Sequence, residues 1–260
     1  MIARVNICVA DVRAEPNNRS ERVSQGLLNE IVQVLGEAPS FSMVRFSDGY
    51  KGWIAHQFLC PHDKFPGDGP YIVQANIASA YDKPDISSRP IARIPYGCCL
   101  YGEMADGFLE MPTERWGSLY VEQINLLEKS EIAPLENLMS DKIVIEAEKF
   151  LGVPYLWGGR SFFGTDCSGY VKAIFARFAR ELPRDTKEQI KAGTEVGRKD
   201  VRRGDLLFFP GHVALAITNT LFIHSSRLNG GVAYNSFDSK ESNYRADLDK
   251  SFKTARRLLA

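Results

Sequence analysis

The sequence predicts a chain of two halves: two small β barrels in tandem, then a half in which two helices precede three strands. Three observations carry this. Residues 1 to about 130 hold short alternating apolar runs, such as Ile31–Val34 and Ser42–Phe46, cut by turn signals like Ser47-Asp48-Gly49. Two stretches of this half resemble each other at a spacing of about 68 residues. From residue 140 the apolar period changes from two to that of a helix.

The repeat is read from its ends. Asp11-Val12-Arg13-Ala14-Glu15-Pro16 opens the first unit and Ser79-Ala80-Tyr81-Asp82-Lys83-Pro84 the second. Gly49-Tyr50-Lys51-Gly52-Trp53-Ile54 closes the first, with Leu59 after it. Trp116-Gly117-Ser118-Leu119-Tyr120-Val121 closes the second, with Leu126 after it. Repeats of this length made of short strands suggest small barrels. Residues 127–138 read as a linker. A helix then begins at Ser140, a candidate N-cap, with Ile143, Ala147, Phe150 and Leu151 on one side and Gly152 and Pro154 ending it. A second helix is expected from Cys167, its stripe of Tyr170, Val171, Ile174, Phe175 and Phe178 facing a core and Pro183 stopping it. Asp205–Phe209, Val213–Ile217 and Leu221–His224 read as strands.

Composition excludes several function classes. At 260 residues the chain has room for two or three small domains. Lys+Arg and Asp+Glu both count 32, so the net charge is zero and a nucleic-acid partner is not expected. Apolar runs fall short of the roughly 18 residues a membrane span needs, so no membrane partner is expected either. The N-terminus, interrupted by Arg4 and Asn6, does not read as a signal peptide. With Met1 as the natural start this implies the cytoplasm; with a leader removed, the cell envelope. The five cysteines are odd in number and irregular in spacing, which suits free thiols in a reducing compartment. With no C-x-x-C pair and no nucleotide motif, neither a metal nor a cofactor is expected.

The chemistry concentrates in Pro154 through Gly169, where a Gly-containing loop leads into a cysteine at a helix start. The partial positive charge there favours a thiolate, which lowers the thiol pKa, and first-turn N–H groups suit an oxyanion. Position alone leaves Cys167 balanced between this reading and a buried small hydrophobe. Cys8, Cys60, Cys98 and Cys99 read as inert. A base must come from elsewhere. His56 and His62 lie in loop-like sequence and are expected to be exposed. His212 opens one strand and His224 closes the next, separated by Thr218-Asn219-Thr220. A three-residue loop pairs Ile217 with Leu221 and sets both histidines on one face, so that His224 orients His212; a two-residue loop puts them on opposite faces.

Certain motifs here carry a resemblance. Val12-Arg13…Pro16, Val32-Gln33-Val34-Leu35 and Asp48 through Ile54 resemble a bacterial SH3-like domain, the second copy departing at Tyr81 where the first has Arg13. Trp157-Gly158-Gly159, Asp166-Cys167-Ser168-Gly169, Gly204 through Phe209, Gly211-His212-Val213-Ala214 and Ile223-His224-Ser225-Ser226 resemble the NlpC-type cell-wall peptidases. The resemblance implies an α+β papain-like catalytic domain at 138–260, preceded by SH3-like barrels at 1–62 and 68–128. It implies Cys167 as nucleophile, His212 as base, His224 as orienting group and Tyr155 near the oxyanion.

With the tandem barrels, the chain is most similar to γ-D-glutamyl-L-diamino acid endopeptidases of wall-peptide recycling. These take murein tri- or tetrapeptides with a free N-terminal L-Ala. That likeness implies substrate contacts from Asp166, Ser168 and Thr186, with Thr186 standing where the family has serine. It also implies Tyr50 from the first barrel and a displaced glutamate, Glu21, expected on the strand face of Val23. The alternatives are another peptidoglycan hydrolase, an amidase, an acyltransferase, or a non-catalytic wall-binding module.

Overall fold

The computed structural model describes residues 1–65, 67–132 and 140–259. It divides into two compact units, residues 1–132 and 133–260.

The first unit is built of strands throughout. Its first sheet comprises β1 (Ile2–Val5), β2 (Val9–Arg13), β3 (Arg22–Leu27), β4 (Ile31–Ala38), β5 (Phe41–Arg45), β6 (Lys51–Ala55) and β7 (Leu59–Pro61). Its second comprises β8 (Asp68–Val73), β9 (Ile77–Tyr81), β10 (Pro90–Pro95), β11 (Cys99–Ala105), β12 (Phe108–Thr113), β13 (Gly117–Glu122) and β14 (Leu126–Glu128). The orders are β3-β2-β6-β5-β4-β1-β7 and β10-β9-β13-β12-β11-β8-β14, the same path traced twice. Arg13 and Tyr81 end equivalent strands and pair with Trp53 and Tyr120 respectively. The repeat is therefore structural, although its sequence signal is faint.

Alternation gives each barrel a separate core. Val5, Val12, Val32, Val44 and Ile54 fill the first; Val73, Ile94, Leu100, Leu109 and Leu119 fill the second. Leu28, on the turn between β3 and β4, joins the second core instead of its own. Next to it Asn29, at φ 63°, donates from Nδ2 to the Cys99 carbonyl at 2.9 Å. Arg115 donates to the Gln57 carbonyl and Phe65 stacks on Tyr101, so the barrels of this unit are tied together at several points.

Several expectations change in this unit. Residues 127–131 are not linker: β14 and a 3-10 turn at Lys129–Glu131 occupy them. The rest of that proposed linker, apart from Ile132, lies outside the described residues. His56 is exposed, but His62 is half-buried because its ring packs on Phe65.

The second unit carries α1 (Ser140–Glu148), the short pair β15 (Arg160–Ser161) and β16 (Gly164–Thr165), α2 (Cys167–Ala176) and α3 (Thr186–Gln189). Then come β17 (Thr194–Val196), β18 (Leu206–Phe209), β19 (His212–Ala216), β20 (Leu221–Ser226), β21 (Gly231–Ser236), α4 (Ala246–Ser251) and β22 (Thr254–Arg257). The antiparallel sheet runs β17-β22-β18-β19-β20-β21. In α1, Ile143 and Ala147 are buried at helical spacing and Phe150 continues their line, while Leu151 is exposed because the helix ends at Glu148 and a tighter turn follows. Tyr170, Val171, Ile174 and Phe175 of α2 are fully buried. That helix stops at Ala176, well before Pro183, because Ala179 takes the left-handed conformation at φ 55° and Arg180 N–H turns back to the Phe175 carbonyl.

Candidate active site

Cys167 is the first residue of α2, and Asp166 caps that helix. One Asp166 carboxylate oxygen accepts the Gly169 N–H at 2.7 Å and the other accepts the Gly158 N–H at 2.9 Å. Glycine is required where the helix start meets the loop. A Cβ on Gly169 would lie 2.1 Å from the Gly159 carbonyl oxygen, and one on Gly159 would lie 2.4 Å from that of Gly164. The Trp-Gly-Gly and Asp-Cys-Ser-Gly motifs are thus two sides of one backbone contact.

Arg184 completes this corner. It donates to both Asp166 oxygens, at 3.1 and 2.6 Å, and to Ser168 Oγ at 2.8 Å. Ser168 Oγ also donates to Asp166 at 3.2 Å. All three side chains are buried. Sequence reasoning missed Arg184; the signal available was an arginine beside the expected substrate hydroxyl, in Pro183-Arg184-Asp185-Thr186.

The histidines lie on the sheet. Leu215 pairs with Ile223 and Ala216 with Phe222, and Ile217 N–H donates to the Leu221 carbonyl. This is the three-residue loop, and it places His212 and His224 on one face. Their rings meet, His212 Nε2 to His224 Nδ1, at 2.6 Å. His224 Nε2 lies 2.7 Å from Asn235 Oδ1 on β21. Asn235 was not foreseen. The Leu228-Asn229-Gly230-Gly231 turn could have announced it, since a hairpin there puts Asn235 opposite Phe222 and diagonal to His224.

α2 packs on β19, and Val213 N–H donates to the Cys167 sulfur, so the thiol sits against the residue next to His212. The Thr186 hydroxyl is 3.9 Å from that sulfur. Tyr155 donates its N–H to the Gly230 carbonyl and bridges Thr165. Burial, then the charges of Cys167 and Asp166, push its hydroxyl up to about 12, so it is a neutral donor beside the thiol. The second unit therefore gathers Cys167, His212, His224, Tyr155, Asp166, Ser168 and Thr186. Tyr50 and Glu21 belong to the first unit. Tyr50 packs on the first core and donates to the Val23 carbonyl at 3.3 Å. Glu21 precedes β3, and a bulge at Val23 breaks the alternation that would have put both on one strand face.

The protonation state differs from the sequence expectation. Burial pushes the Cys167 thiol above its ordinary value and the Asp166 carboxylate adds to this; the Val213 N–H, Thr186 hydroxyl and Ser168 N–H only partly offset them. Burial pulls His212 down to about 3, with His224 and Arg245 adding to the fall and Asp247 opposing it. Burial likewise pulls His224 to about 4, against the Asn235 hydrogen bond. At neutral pH the site holds a thiol and two neutral imidazoles.

A cysteine at a helix start beside a hydrogen-bonded histidine on an antiparallel sheet defines a papain-like thiol peptidase fold. The NlpC/P60 family model matches residues 152–249 and the bacterial SH3 domain model residues 9–59. The chain belongs to the NlpC/P60 family of peptidoglycan peptidases. It is 28% identical over 265 aligned positions to dipeptidyl-peptidase 6 of Lysinibacillus sphaericus, covering 95% of this chain and 96% of that one. It is 35% identical over 130 to a γ-D-glutamyl-L-lysine dipeptidyl-peptidase of Bacillus subtilis, covering 47% of this chain and 42% of that one. A solved NlpC/P60 family protein from Bacillus cereus shares the fold along both whole chains, with a TM-score of 0.86 at 20% identity.

Proposed function

We propose that this protein is a cysteine peptidase that hydrolyses the bond between γ-D-Glu and a diamino acid in murein tri- and tetrapeptides with a free N-terminal L-Ala. The observation that carries the reading is the buried thiol at the start of α2, set against the strand that presents the neutral His212–His224 pair. The names of the Lysinibacillus and Bacillus relatives support the dipeptidyl-peptidase outcome, the first along nearly the whole chain.

In this reading His212 takes the thiol proton as sulfur attacks the γ-carbonyl carbon, and N–H groups at the start of α2 receive the oxyanion. His212 returns the proton to the departing amine as the C–N bond breaks, and water hydrolyses the thioester. Tyr155 donates its hydroxyl to the substrate. Asp166, Ser168 and Thr186 shape the subsite for D-Glu. The substrate is a released wall peptide, and the protein acts in wall-peptide recycling in the cytoplasm, where its five free thiols would stay reduced.

Mass spectrometry of products from L-Ala-γ-D-Glu-meso-diaminopimelate and its N-acetyl twin tests this. The expected result is release of L-Ala-γ-D-Glu from the free peptide alone, and loss of all but trace turnover in Cys167→Ala. Equal cleavage of both peptides would remove the free-amine requirement and indicate a hydrolase of intact stems. Cleavage of neither would sink the γ-D-glutamyl reading.

A further inference from the structure

The chain of groups behind His212 has a direction, and one atom sets it. Asn235 is buried on β21, and its side-chain amide faces three partners. Asn235 Nδ2 is 2.9 Å from the Asn243 carbonyl oxygen, while its Oδ1 is 2.7 Å from His224 Nε2 and 2.7 Å from Asn229 Nδ2. A backbone carbonyl only accepts, so the amide group facing Asn243 must be the NH2. Turning the amide over would set two carbonyl-type oxygens 2.9 Å apart and leave the Asn235 oxygen without a donor in a buried place, since the Asn243 carbonyl keeps only the Ser236 N–H for itself. The oxygen therefore faces His224. An amide oxygen only accepts, so His224 Nε2 carries a hydrogen. His224 is neutral at pH 7, so its Nδ1 is bare and must accept from His212. His212 Nε2 then carries its hydrogen, 2.6 Å away, and His212 Nδ1 is left bare.

We propose that Asn235 is the positioning residue of this site: held by the Asn243 carbonyl and by Asn229, it fixes both imidazoles as Nε2–H tautomers and leaves His212 Nδ1 as the proton acceptor. This deepens the proposed function and rests on its assignment of Cys167 and His212. The thiol proton passes to His212 Nδ1 as the sulfur–carbon bond forms, and from Nδ1–H to the departing amine as the carbon–nitrogen bond breaks. His224 and Asn235 exchange no proton; they hold the base in the one neutral form that can start the reaction. The opposite tautomer of His212 would present an N–H to a thiol and could not accept from it. The other charged groups that act on both rings, Arg245 and Asp247, pair with each other at 2.7–2.8 Å.

Two measurements on the full chain test this. In the wild-type protein with 15N-labelled histidine at pH 7, long-range 15N–1H spectra should show the His212 and His224 rings as neutral Nε2–H forms. An Nδ1–H form of either ring would overturn the proposal whether or not peptide is cleaved. In Asn235→Ala the His224 tautomer should become mixed and kcat should fall about tenfold or more with KM little changed, as expected for an interaction that prepares the base. Asn235→Asp keeps the acceptor to His224 but loses the Nδ2 donor that the Asn243 carbonyl holds. It should keep His224 as the Nε2–H form and recover only part of kcat, while its charge moves the acid inflection of the pH–rate profile upward. Unchanged tautomers and kcat in Asn235→Ala, or an Nδ1–H His224 in a folded Asn235→Asp, would overturn it. Turnover persisting in Cys167→Ala would instead sink the nucleophile assignment, which the tautomer spectra do not depend on.

Discussion

Cys167 stands between two buried polar networks that solve burial in opposite ways. On the helix side, Asp166 and Arg184 form an ion pair that the Ser168 hydroxyl hydrogen-bonds, with the Arg184 and Asp166 side chains only 2% and 10% exposed. On the sheet side, His212, His224 and Asn235 give up charge and stay neutral. The difference follows from what each must do. A paired ion network cannot release a proton without leaving an uncompensated charge inside, so it suits holding a helix start in place. A neutral imidazole beside an amide can gain a proton and pass it on at small cost, so it suits a base.

The sharpest way to break the comparison is to unpair the charged side. Arg184→Met leaves the Asp166 carboxylate buried without its cation and should cost about 3–5 kcal/mol in urea unfolding. Adding Asp166→Asn to it removes the stranded charge while keeping an N-cap acceptor, and should recover most of that loss. Equal stability of the single and double variants would mean that the ion pair is not what Asp166 needs.

The neutral side responds to pH. Unfolded histidines take up protons near 6.5, whereas folded His212 and His224 resist until about 3 and 4. Below pH 6.5 the unfolded chain therefore binds more protons, and stability falls as pH falls. Between pH 6.5 and 5, above most carboxylate titration, the urea midpoint should decline in the wild type. It should decline much less in a His212→Gln/His224→Gln double variant. Equal slopes would show that these rings are not neutral when folded.

The two networks also differ in how visible they are from sequence. The helix side is local: Asp166, Cys167, Ser168 and Gly169 are contiguous, and an N-cap followed by an apolar stripe is a short-range signal. The histidine pair was half legible: a three-residue loop sets both rings on one face, but the loop length that decides this was open in the sequence. Arg184 and Asn235 were not, since each joins its network only through tertiary packing, and neither residue type is distinctive alone. The same holds for the barrels. The first closes with Gly49-Tyr50-Lys51-Gly52-Trp53, whereas the second keeps the strand path but has Tyr120 where the first has Trp53. The end of α2 was misplaced because its stop is a left-handed Ala179, a conformation that alanine rarely signals. The fall expected for the Cys167 thiol is not met because a helix terminus is readable in sequence and burial of the sulfur is not.

The smallest effect should fall where the two networks meet, at Thr186. Its hydroxyl is 3.9 Å from the Cys167 sulfur and draws the thiol pKa down, against burial and Asp166, which push it up. A contact of that length to sulfur contributes on the order of 0.5–1 kcal/mol, or about two- to fivefold in a rate that depends on thiolate character. Thr186→Val keeps the shape and removes the hydroxyl, so the thiol should titrate higher and react with iodoacetamide a few times more slowly at pH 8. Thr186→Ser keeps the hydroxyl and removes a methyl group, so that rate should match the wild type while peptide KM shifts with the lost contact. If Val and Ser behave alike towards iodoacetamide, the hydroxyl does not act on the sulfur, and Thr186 contributes through its methyl group alone.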